Sequence, residues 1–318
     1  MKKQLIWAIG LSMAFCACKK ESTPHNQTPA ETGGTKGVKR YAVGFNLSGF
    51  TKETKGISSD KLSTNAALTD AIKFLSYYAY TGNKDSLKLV KNIYQKSTDA
   101  GFGTITDSLA AGHYTIFFVG STSSNYYVTN AFLNLVDGTY HPALGYKNNE
   151  NITDTFLQKL EFDVTGAGTQ NIVLKRIVGQ ITYKLLDVLP ADVSRVEVTI
   201  GNAAPLYDMV DGGVAFDGTH GSGWDDRIQT FTVNSGDKGK ANVEFSTYVW
   251  PFSYFSTSIR AYNSTDVLIG HTNPDDSQSL SISENTQYIL SGYLFKQAPS
   301  SFGITVDSKW NTPQNSTF

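Results

Sequence analysis

Short segments in which apolar and polar residues alternate recur along most of this chain, with turn-forming residues between them. The clearest is residues 195–200 (RVEVTI), where valine or isoleucine takes every second position. A period of two is the pattern of a β-strand with one buried face, since successive side chains point to opposite faces. Strands at this spacing predict an all-β protein built from β-sandwiches, and they argue against a parallel α/β sheet.

The composition is typical of an exported β-protein. Charged residues make up 17% of the chain, against the usual quarter, while aromatic residues reach 12%. Both cysteines, Cys16 and Cys18, lie near the amino terminus, so no disulfide is expected in the rest of the chain. Without residues 1–17 the chain keeps 25 of its 27 basic residues against 28 acidic ones. The resulting slight negative charge predicts no nucleic-acid-binding face.

The first twenty residues have the form of a secretory leader. Two lysines precede an apolar run at 5–15, which is too short to span a bilayer as a helix. The segment resembles a bacterial lipoprotein signal, in which a small residue precedes the cysteine that receives the lipid. Ala17 before Cys18 fits that rule, whereas the bulky Phe15 before the other cysteine does not. We therefore predict a signal peptide at 1–17 and a lipid-carrying Cys18 as the first mature residue.

The mature chain is expected to have three parts. Residues 18–37 are polar and rich in Thr, Pro and Gly, and they predict a flexible tether because they offer too little apolar surface to fold. The small, flexible segment 165–169 (TGAGT) lies between strand patterns and is the expected domain boundary. This gives an N-terminal β-sandwich domain at 38–168 and a C-terminal one at 169–318.

Three segments depart from simple strand alternation. Residues 66–75 are expected to form a helical turn at most, because the same apolar residues also fit a strand. Residues 121–153 are rich in Asn, Ser and Tyr and are expected to be mostly loop, with a possible strand at 130–136. Residues 172–186 form the longest β-rich run of the chain.

The chain offers no recognisable catalytic or metal-binding pattern. Its five histidines are scattered without a partner at metal-ligand spacing, so no metal site is predicted, and His113 is expected to be half-buried on a strand. A serine nucleophile requires a Gly-x-Ser-x-Gly turn, which residues 221–223 (GSG) do not complete. We therefore expect a protein that is not an enzyme and that carries no cofactor apart from a covalent lipid at Cys18.

The Gly- and Asp-rich segment 208–227 is the best local candidate for a ligand site. Its carboxylates could bind calcium, and its tryptophan could stack on a sugar ring. A solvated, turn-rich loop explains the same residues and is favoured, because the spacing matches no EF-hand. The residues that would carry the ligand-binding alternative are Asp211, Asp217, Trp224, Asp225 and Asp226.

The aromatic segment 248–255 (YVWPFSYF) also has two interpretations. Alternating aromatic residues are what a sandwich interior needs, and this core interpretation is favoured. The alternative is that Trp250, Phe252 and Phe255 line a groove for a strand from a partner.

Several motifs, taken in their order, resemble the fimbrillin-like proteins of the Bacteroidota, in particular the FimB-type fimbrial anchor and accessory subunits. The lipid cysteine with its polar tether comes first, followed by residues 109–114 (LAAGHY) and 174–181 (LKRIVGQI). The end of the chain, at 288–292 and 303–306 with Trp310, is similar as well. The resemblance covers nearly the whole chain.

This resemblance implies two transthyretin-like antiparallel β-sandwich domains in tandem, which join other fimbrial subunits by strand exchange. It also implies a non-catalytic, lipid-anchored protein of the cell outer membrane, exposed as an anchor, accessory or tip subunit of a fimbrium. Stalk subunits of this kind are expected to lose their first strand to an arginine-directed protease, and the candidate cut here follows Arg40. The alternative function is a surface lipoprotein that binds a glycan or another ligand.

Overall fold

The fold is described here from a computed structural model. The described residues are almost entirely β-structure, which confirms the predicted all-β class. The helical elements α1 (Leu68–Ala71) and a 3-10 turn at Lys84–Ser86 are short. Among the residues that the structure describes, no helix is long and apolar enough to cross a membrane. The predicted signal peptide, Cys18 and tether lie outside the described residues. The structure describes residues 38–51, 68–134, 137–147, 150–215, 225–274, 280–295 and 303–307.

The N-terminal half of the described chain contributes nine strands. They are β1 (Arg40–Thr51), β2 (Phe74–Thr81), β3 (Lys88–Lys96), β4 (Thr104–Ala110), β5 (Gly112–Ser121), β6 (Tyr126–Leu133), β7 (Tyr140–Tyr146), β8 (Thr155–Val164) and β9 (Gly168–Arg176). Seven of them form one sheet in the order β3-β2-β5-β8-β9-β1-β4. The expected helical turn at 66–75 is present as α1, just before β2.

β1 lies inside this sheet and not at its edge. It pairs antiparallel with β4 and parallel with β9. Its Val43 and Phe45 side chains are 1% and 0% exposed and belong to the first hydrophobic core. The ring of Phe45 lies 5.6 Å from that of Tyr77 and 5.3 Å from that of Phe118, between centroids. Removing β1 would therefore open this core as well as two strand ladders.

The C-terminal half contributes eleven described strands. They are β10 (Gly179–Leu185), β11 (Val193–Ala203), β12 (Leu206–Asp208), β13 (Val214–Ala215), β14 (Asp225–Thr232), β15 (Val243–Val249), β16 (Phe252–Asn263), β17 (Leu268–Thr272), β18 (Leu280–Ile282), β19 (Gln287–Gly292) and β20 (Gly303–Asp307). One sheet has the order β15-β10-β19-β20 and another the order β14-β11-β16-β17, with β18 paired to β16. Buried residues of both sheets, such as Tyr183 and Val198, share the second hydrophobic core.

Two strand pairs depart from the expected antiparallel arrangement. β1 runs parallel to β9, and β10 runs parallel to β19. In each pair the partners lie far apart in the sequence, so no tight turn has to join them. Alternation of side chains identifies a strand but does not specify the direction of its neighbour. The expectation of purely antiparallel sheets therefore needs correction at these two pairs.

The expected domain boundary falls in the turn of a hairpin. β9 begins at Gly168, within the flexible segment 165–169, and pairs with β8 and β1 in the first sheet. The chain changes sheet at Ile177 and Val178, so the β-rich run 172–186 is divided between β9 and β10. The division into two domains stays a prediction. The chain passes from the first sheet to another only after β9, and not at the expected boundary.

A further sheet contains strands from both halves, and we call it the junction sheet. Its order is β13-β12-β7-β6, in which β12 pairs antiparallel with β7. In this register Leu206 lies opposite Gly145, and Tyr207 lies opposite Leu144. Within the segment 121–153, β6 overlaps the possible strand at 130–136, whereas β7 lies where a loop was expected, so that part of the expectation needs correction.

Side chains of the junction sheet pack into a third core, the junction core, which also receives residues from both halves. Trp250 is 1% exposed, and its ring lies 5.9 Å from that of Tyr146 and 5.5 Å from that of Tyr207, between centroids. The core interpretation of the aromatic segment is thereby confirmed for Trp250 and for Phe252, which is 4% exposed. The side chain of Phe255 lies outside the described residues.

Candidate functional site

Arg40, the candidate cleavage residue, is the first residue of β1. Its main chain pairs with Ala110 of β4, and its exposed guanidinium donates a hydrogen bond to the carbonyl of Ser108. A cut after Arg40 would therefore separate the chain in front of β1. Residues 41–51 of this strand would stay in the sheet.

The sequence also offers no second arginine that would release β1. None occurs between Arg40 and Arg176. A protease of this specificity cannot cut between β1 and β2, so it cannot free β1 from the sheet. Cleavage after Arg40 stays a prediction, but such a cut would not remove the first strand described here.

β20 is placed very differently from β1, because it forms the edge of a sheet. It pairs antiparallel with β19, with Gly303 opposite Ser291 and Asp307 opposite Gln287. Its other side has no strand partner among the described residues. An edge strand such as this can leave its sheet without breaking any other ladder, which is what strand exchange demands.

A buried carboxylate holds the chain shortly before β20. Asp187 is 1% exposed, and its Oδ2 accepts hydrogen bonds from the main-chain amides of Leu294 and Phe295, at 2.9 Å for the latter. Its Oδ1 has no hydrogen-bond partner among the described residues. Asp187 therefore fixes the point from which the chain continues toward β20.

The structure describes only part of the candidate calcium or sugar loop. Asp217 and Trp224 lie outside the described residues, as does the side chain of Asp225, whose backbone opens β14. Asp226 is exposed on β14. Asp211 lies in the turn between β12 and β13, where it joins a cluster that the sequence did not indicate.

The centre of this cluster is a buried histidine on the junction sheet. His141, near the start of β7, is 0% exposed, and its Nδ1 lies 2.8 Å from Oδ2 of Asp208 at the end of β12. Asp208 is 3% exposed and accepts a second hydrogen bond on Oδ2 from the amide of Asn134, at 3.0 Å. Oδ1 of Asp208 accepts the main-chain amides of Val210 and Asp211, at 2.8 and 3.2 Å. These bonds satisfy groups that would be costly to bury unpaired.

Lys84 completes the cluster on its more exposed side. Its Nζ lies 3.1 Å from Oδ2 of Asp137 and 2.9 Å from Oδ2 of Asp211. Hydrogen bonds from Thr139 and then from Lys84 hold the pKa of the Asp137 carboxyl well below its ordinary value. Hydrogen bonds to Asp211 and Asp137 raise the pKa of Lys84. Lys84 and Asp137 are therefore charged at neutral pH.

Sequence reasoning missed the cluster because its members come together only through strand pairing. His141 and Asp208 are 67 residues apart and become neighbours when β12 pairs with β7. Pro142 and Gly145 interrupt the alternation of β7, so the strand itself was not recognised. The spacing of Asp137 and His141, four residues apart, was the one signal available.

A polar cleft of about 380 Å³ lies beside Lys84 and is also lined by His113, Lys159 and Glu161. His113 was expected to be half-buried, but its side chain is 51% exposed. Its ring nitrogens lie 2.7 Å from Asp163 Oδ1 and 3.2 Å from Glu161 Oε2. Hydrogen bonding to Asp163 and then to Glu161 raises the pKa of His113. His113 is exposed because it lies on the face of β5 that points away from the first core.

Comparisons with known proteins give the following picture. No family model matches this sequence, and no curated protein matches it. Among solved structures, the chain is similar to a protein of Bacteroides thetaiotaomicron provisionally described as polysaccharide-binding, with a TM-score of 0.49 and 13% identity over 86% of this chain and 98% of that one. A Bacteroides ovatus protein provisionally described as an adhesin is similar with a TM-score of 0.48 and 11% identity over 88% of this chain and 97% of that one. The fimbrial anchor protein Mfa2 of Porphyromonas gingivalis is similar with a TM-score of 0.43 and 15% identity over 85% of this chain and 98% of that one. Among these three structures, Mfa2 is a fimbrial anchor protein, which is the kind of protein that the sequence resemblance named.

Proposed function

We propose that this protein is a non-catalytic cell-surface lipoprotein that serves as an anchor, accessory or tip subunit of a fimbrium. In this proposal the lipid on Cys18 holds the chain to the outer membrane. The folded part joins other fimbrial subunits by strand addition. The lipoprotein-like leader and the polar tether support the first part, and the placement of β20 supports the second.

The position of β20 is the observation that carries the proposal. β20 meets the rest of its sheet only through β19. A strand from another subunit could replace it and restore the same backbone hydrogen bonds, because these do not depend on side-chain identity. Tyr288 and Leu290 of β19 are 7% and 1% exposed and belong to the second core, so β19 would remain a firm template during the exchange.

The placement of β1 favours a role at the end of a fimbrium. β1 already fills the position between β9 and β4, and a cut after Arg40 would leave it there. Among the described strands, a strand from a neighbour could therefore join the seven-stranded sheet only at its edges, β3 and β4. An anchor or accessory subunit has less need of an open interior position than a stalk subunit, which must accept a neighbour at each step of polymerisation.

A reversible disulfide between β19 and β20 tests the proposal. Ile289 and Thr305 lie opposite each other in the antiparallel register, and residues so placed have Cα separations that a disulfide can span. The Ile289→Cys/Thr305→Cys variant should hold β20 in its own sheet. We expect envelopes from its own cells to show detergent-resistant, heat-sensitive oligomers for the unmodified chain, none for the oxidised variant, and recovery when the variant is kept reduced.

A matched control places the same crosslink at the opposite edge of the same sheet. Lys184 and Glu244 lie opposite each other on β10 and β15, and Lys184→Cys/Glu244→Cys should leave the oligomers unchanged. Oligomers that persist in the oxidised β19–β20 variant would refute exchange of β20. Mass spectrometry of the same material should find an acylated Cys18, and a free, unmodified Cys18 would refute the lipid anchor.

A further inference from the structure

We propose that Asp137, His141 and Asp211 form a binding site for a divalent transition-metal cation, with Zn²⁺ as the best fit. Each residue offers one ligand atom, and the three atoms lie within 4.8 Å of one another. An imidazole nitrogen with two carboxylate oxygens is a ligand set that zinc accepts, and a water molecule can complete a tetrahedral site. The imidazole makes calcium, which takes oxygen ligands, a poor fit.

The separation of two of the ligands already suits a metal. Zinc lies about 2.1 Å from nitrogen and oxygen ligands, so two ligands of a tetrahedral site are about 3.4 Å apart. Nε2 of His141 lies 3.4 Å from Oδ2 of Asp137. Asp211 lies on a turn with its side chain 43% exposed, and its Oδ2 lies 3.9 Å from Nδ1 of His141. This exposed side chain would have to turn toward Nε2 to complete the site.

The atoms that do not face this point are held by other partners. Nδ1 of His141 faces the buried Asp208 carboxylate at 2.8 Å, the arrangement that commonly orients a metal-binding histidine. Its Nε2 lies 2.9 Å from Thr139 Oγ1, and a metal bound at Nε2 would replace that contact. Oδ1 of Asp137 accepts hydrogen bonds from Thr139 Oγ1 at 2.6 Å and from its main-chain amide at 3.0 Å. Nε2 of His141 and Oδ2 of Asp137 are thus presented to the same point by bonds that the protein itself makes.

The position of Lys84 shows that a positive charge is favoured at this point, and its ammonium would compete with a metal ion for the two carboxylates. Its ammonium lies between Oδ2 of Asp137 and Oδ2 of Asp211 and contacts both carboxylates. The side chain is 47% exposed on a single 3-10 turn, so it can swing into solvent when a cation enters. Removing the lysine charge should therefore tighten metal binding, an effect that a purely structural ion pair would not give.

Metal binding at this point would tie together separate parts of the chain. Asp137 and His141 flank the start of β7, whereas Asp211 belongs to the turn after β12. A bound cation would therefore link the two central strands of the junction sheet, one from each half. Because it binds the folded state, it should also raise the unfolding temperature.

The test is calorimetric titration of untagged residues 19–318 with Zn²⁺, together with thermal unfolding in the presence and absence of the metal. This chain contains no cysteine that would bind zinc elsewhere. We expect one site in the unmodified protein, binding about tenfold or more weaker in Asp211→Asn, and tighter binding in Lys84→Gln. Asp211 is partly exposed, so its variant should remain folded, and circular dichroism checks this.

His113→Gln is the matched control, because His113 is the other described histidine that contacts two carboxylates. It should leave the zinc affinity unchanged. Absence of zinc binding in both the unmodified protein and Lys84→Gln would overturn the proposal. A zinc affinity of Asp211→Asn equal to that of the unmodified protein would also overturn it, as would loss of zinc binding in His113→Gln. None of these outcomes depends on fimbrial assembly, so they are separate from the test of β20.

Discussion

Trp250 provides the most direct test of how the two halves are joined. It is the largest of the described side chains with less than 2% exposure, and it packs against Tyr146 from one half and Tyr207 from the other. Its indole Nε1 has no hydrogen-bond acceptor among the described residues. Two substitutions separate these features. Trp250→Ala removes both the ring and the donor, whereas Trp250→Phe removes the donor and keeps an aromatic ring.

The expected magnitudes follow from burial. An aromatic side chain buries roughly 150–250 Å², which at about 25 cal/mol per Å² corresponds to about 4–6 kcal/mol. Truncations of buried aromatic residues to alanine cost about 3–5 kcal/mol, and we expect Trp250→Ala to fall in that range. An unpaired buried donor itself costs about 1–3 kcal/mol. Trp250→Phe removes this cost but also loses some packing, so we expect the free energy of unfolding to fall by about 1 kcal/mol.

Urea denaturation of residues 19–318, followed by circular dichroism, measures both effects. Trp250→Ala should also divide the unfolding transition, because it weakens the junction core while the first and second cores remain. Phe45→Ala is the matched control, since Phe45 is fully buried in the first core alone and its loss should leave the transition undivided. Equal destabilisation by Trp250→Ala and Trp250→Phe would refute the reasoning about packing of the aromatic ring. An undivided transition in Trp250→Ala would refute the reasoning about the junction.

Three further predictions concern single residues. Gly145→Ala should lower the free energy of unfolding by about 1–3 kcal/mol, because its Cβ would lie 2.6 Å from Leu206 Cδ2 across the β7–β12 ladder; an unchanged urea midpoint would contradict this. Asp187→Ala should speed amide hydrogen exchange in β19 and β20 relative to β10, since the amides before β20 lose their acceptor; equal protection would count against that anchoring role. The pKa of His113 should fall toward 6.5 in Asp163→Asn, because Asp163 is the main cause that raises it, and an NMR titration measures the shift. Since the folded-state pKa is raised, the stability contributed by His113 is full below the unfolded pKa and is lost as the pH rises through the folded value. A pH dependence of stability that is the same in His113→Gln would contradict this sign.

Local pattern was enough to predict the strands that have one buried face. In β11 the buried Val196, Val198 and Ile200 alternate with less buried neighbours, as residues 195–200 indicated. The same reasoning located β1 and β8. β5, which is buried on both faces, was located by its apolar, aromatic-rich run, and Trp250 was placed in a core by the aromatic residues around it. These assignments succeed because side-chain burial on one strand depends mainly on its own alternation.

Pairing between distant strands could not be predicted in this way. β7 (YHPALGY) has almost no exposed residues, because it lies between β6 and β12 and above the junction core. A strand buried on both faces loses its alternation, and Pro142 and Gly145 remove the remaining signal. The polar cluster around His141 depends on that pairing. The candidate metal site was therefore hidden for the same physical reason as the strand that carries it.

The same dependence on pairing decides which strand of this chain is suited to exchange. β1 is paired on both sides and carries Val43 and Phe45 into the first core, so its departure would break two ladders and expose fully buried side chains. β20 is paired on one side, and its departure breaks one ladder of five residues. Since the cost of opening rises with each ladder that is broken, exchange at β20 loses fewer backbone hydrogen bonds than exchange at β1 would. In the proposed assembly, the edge of β19 would receive a strand from a neighbour while β1 stays in its own sheet.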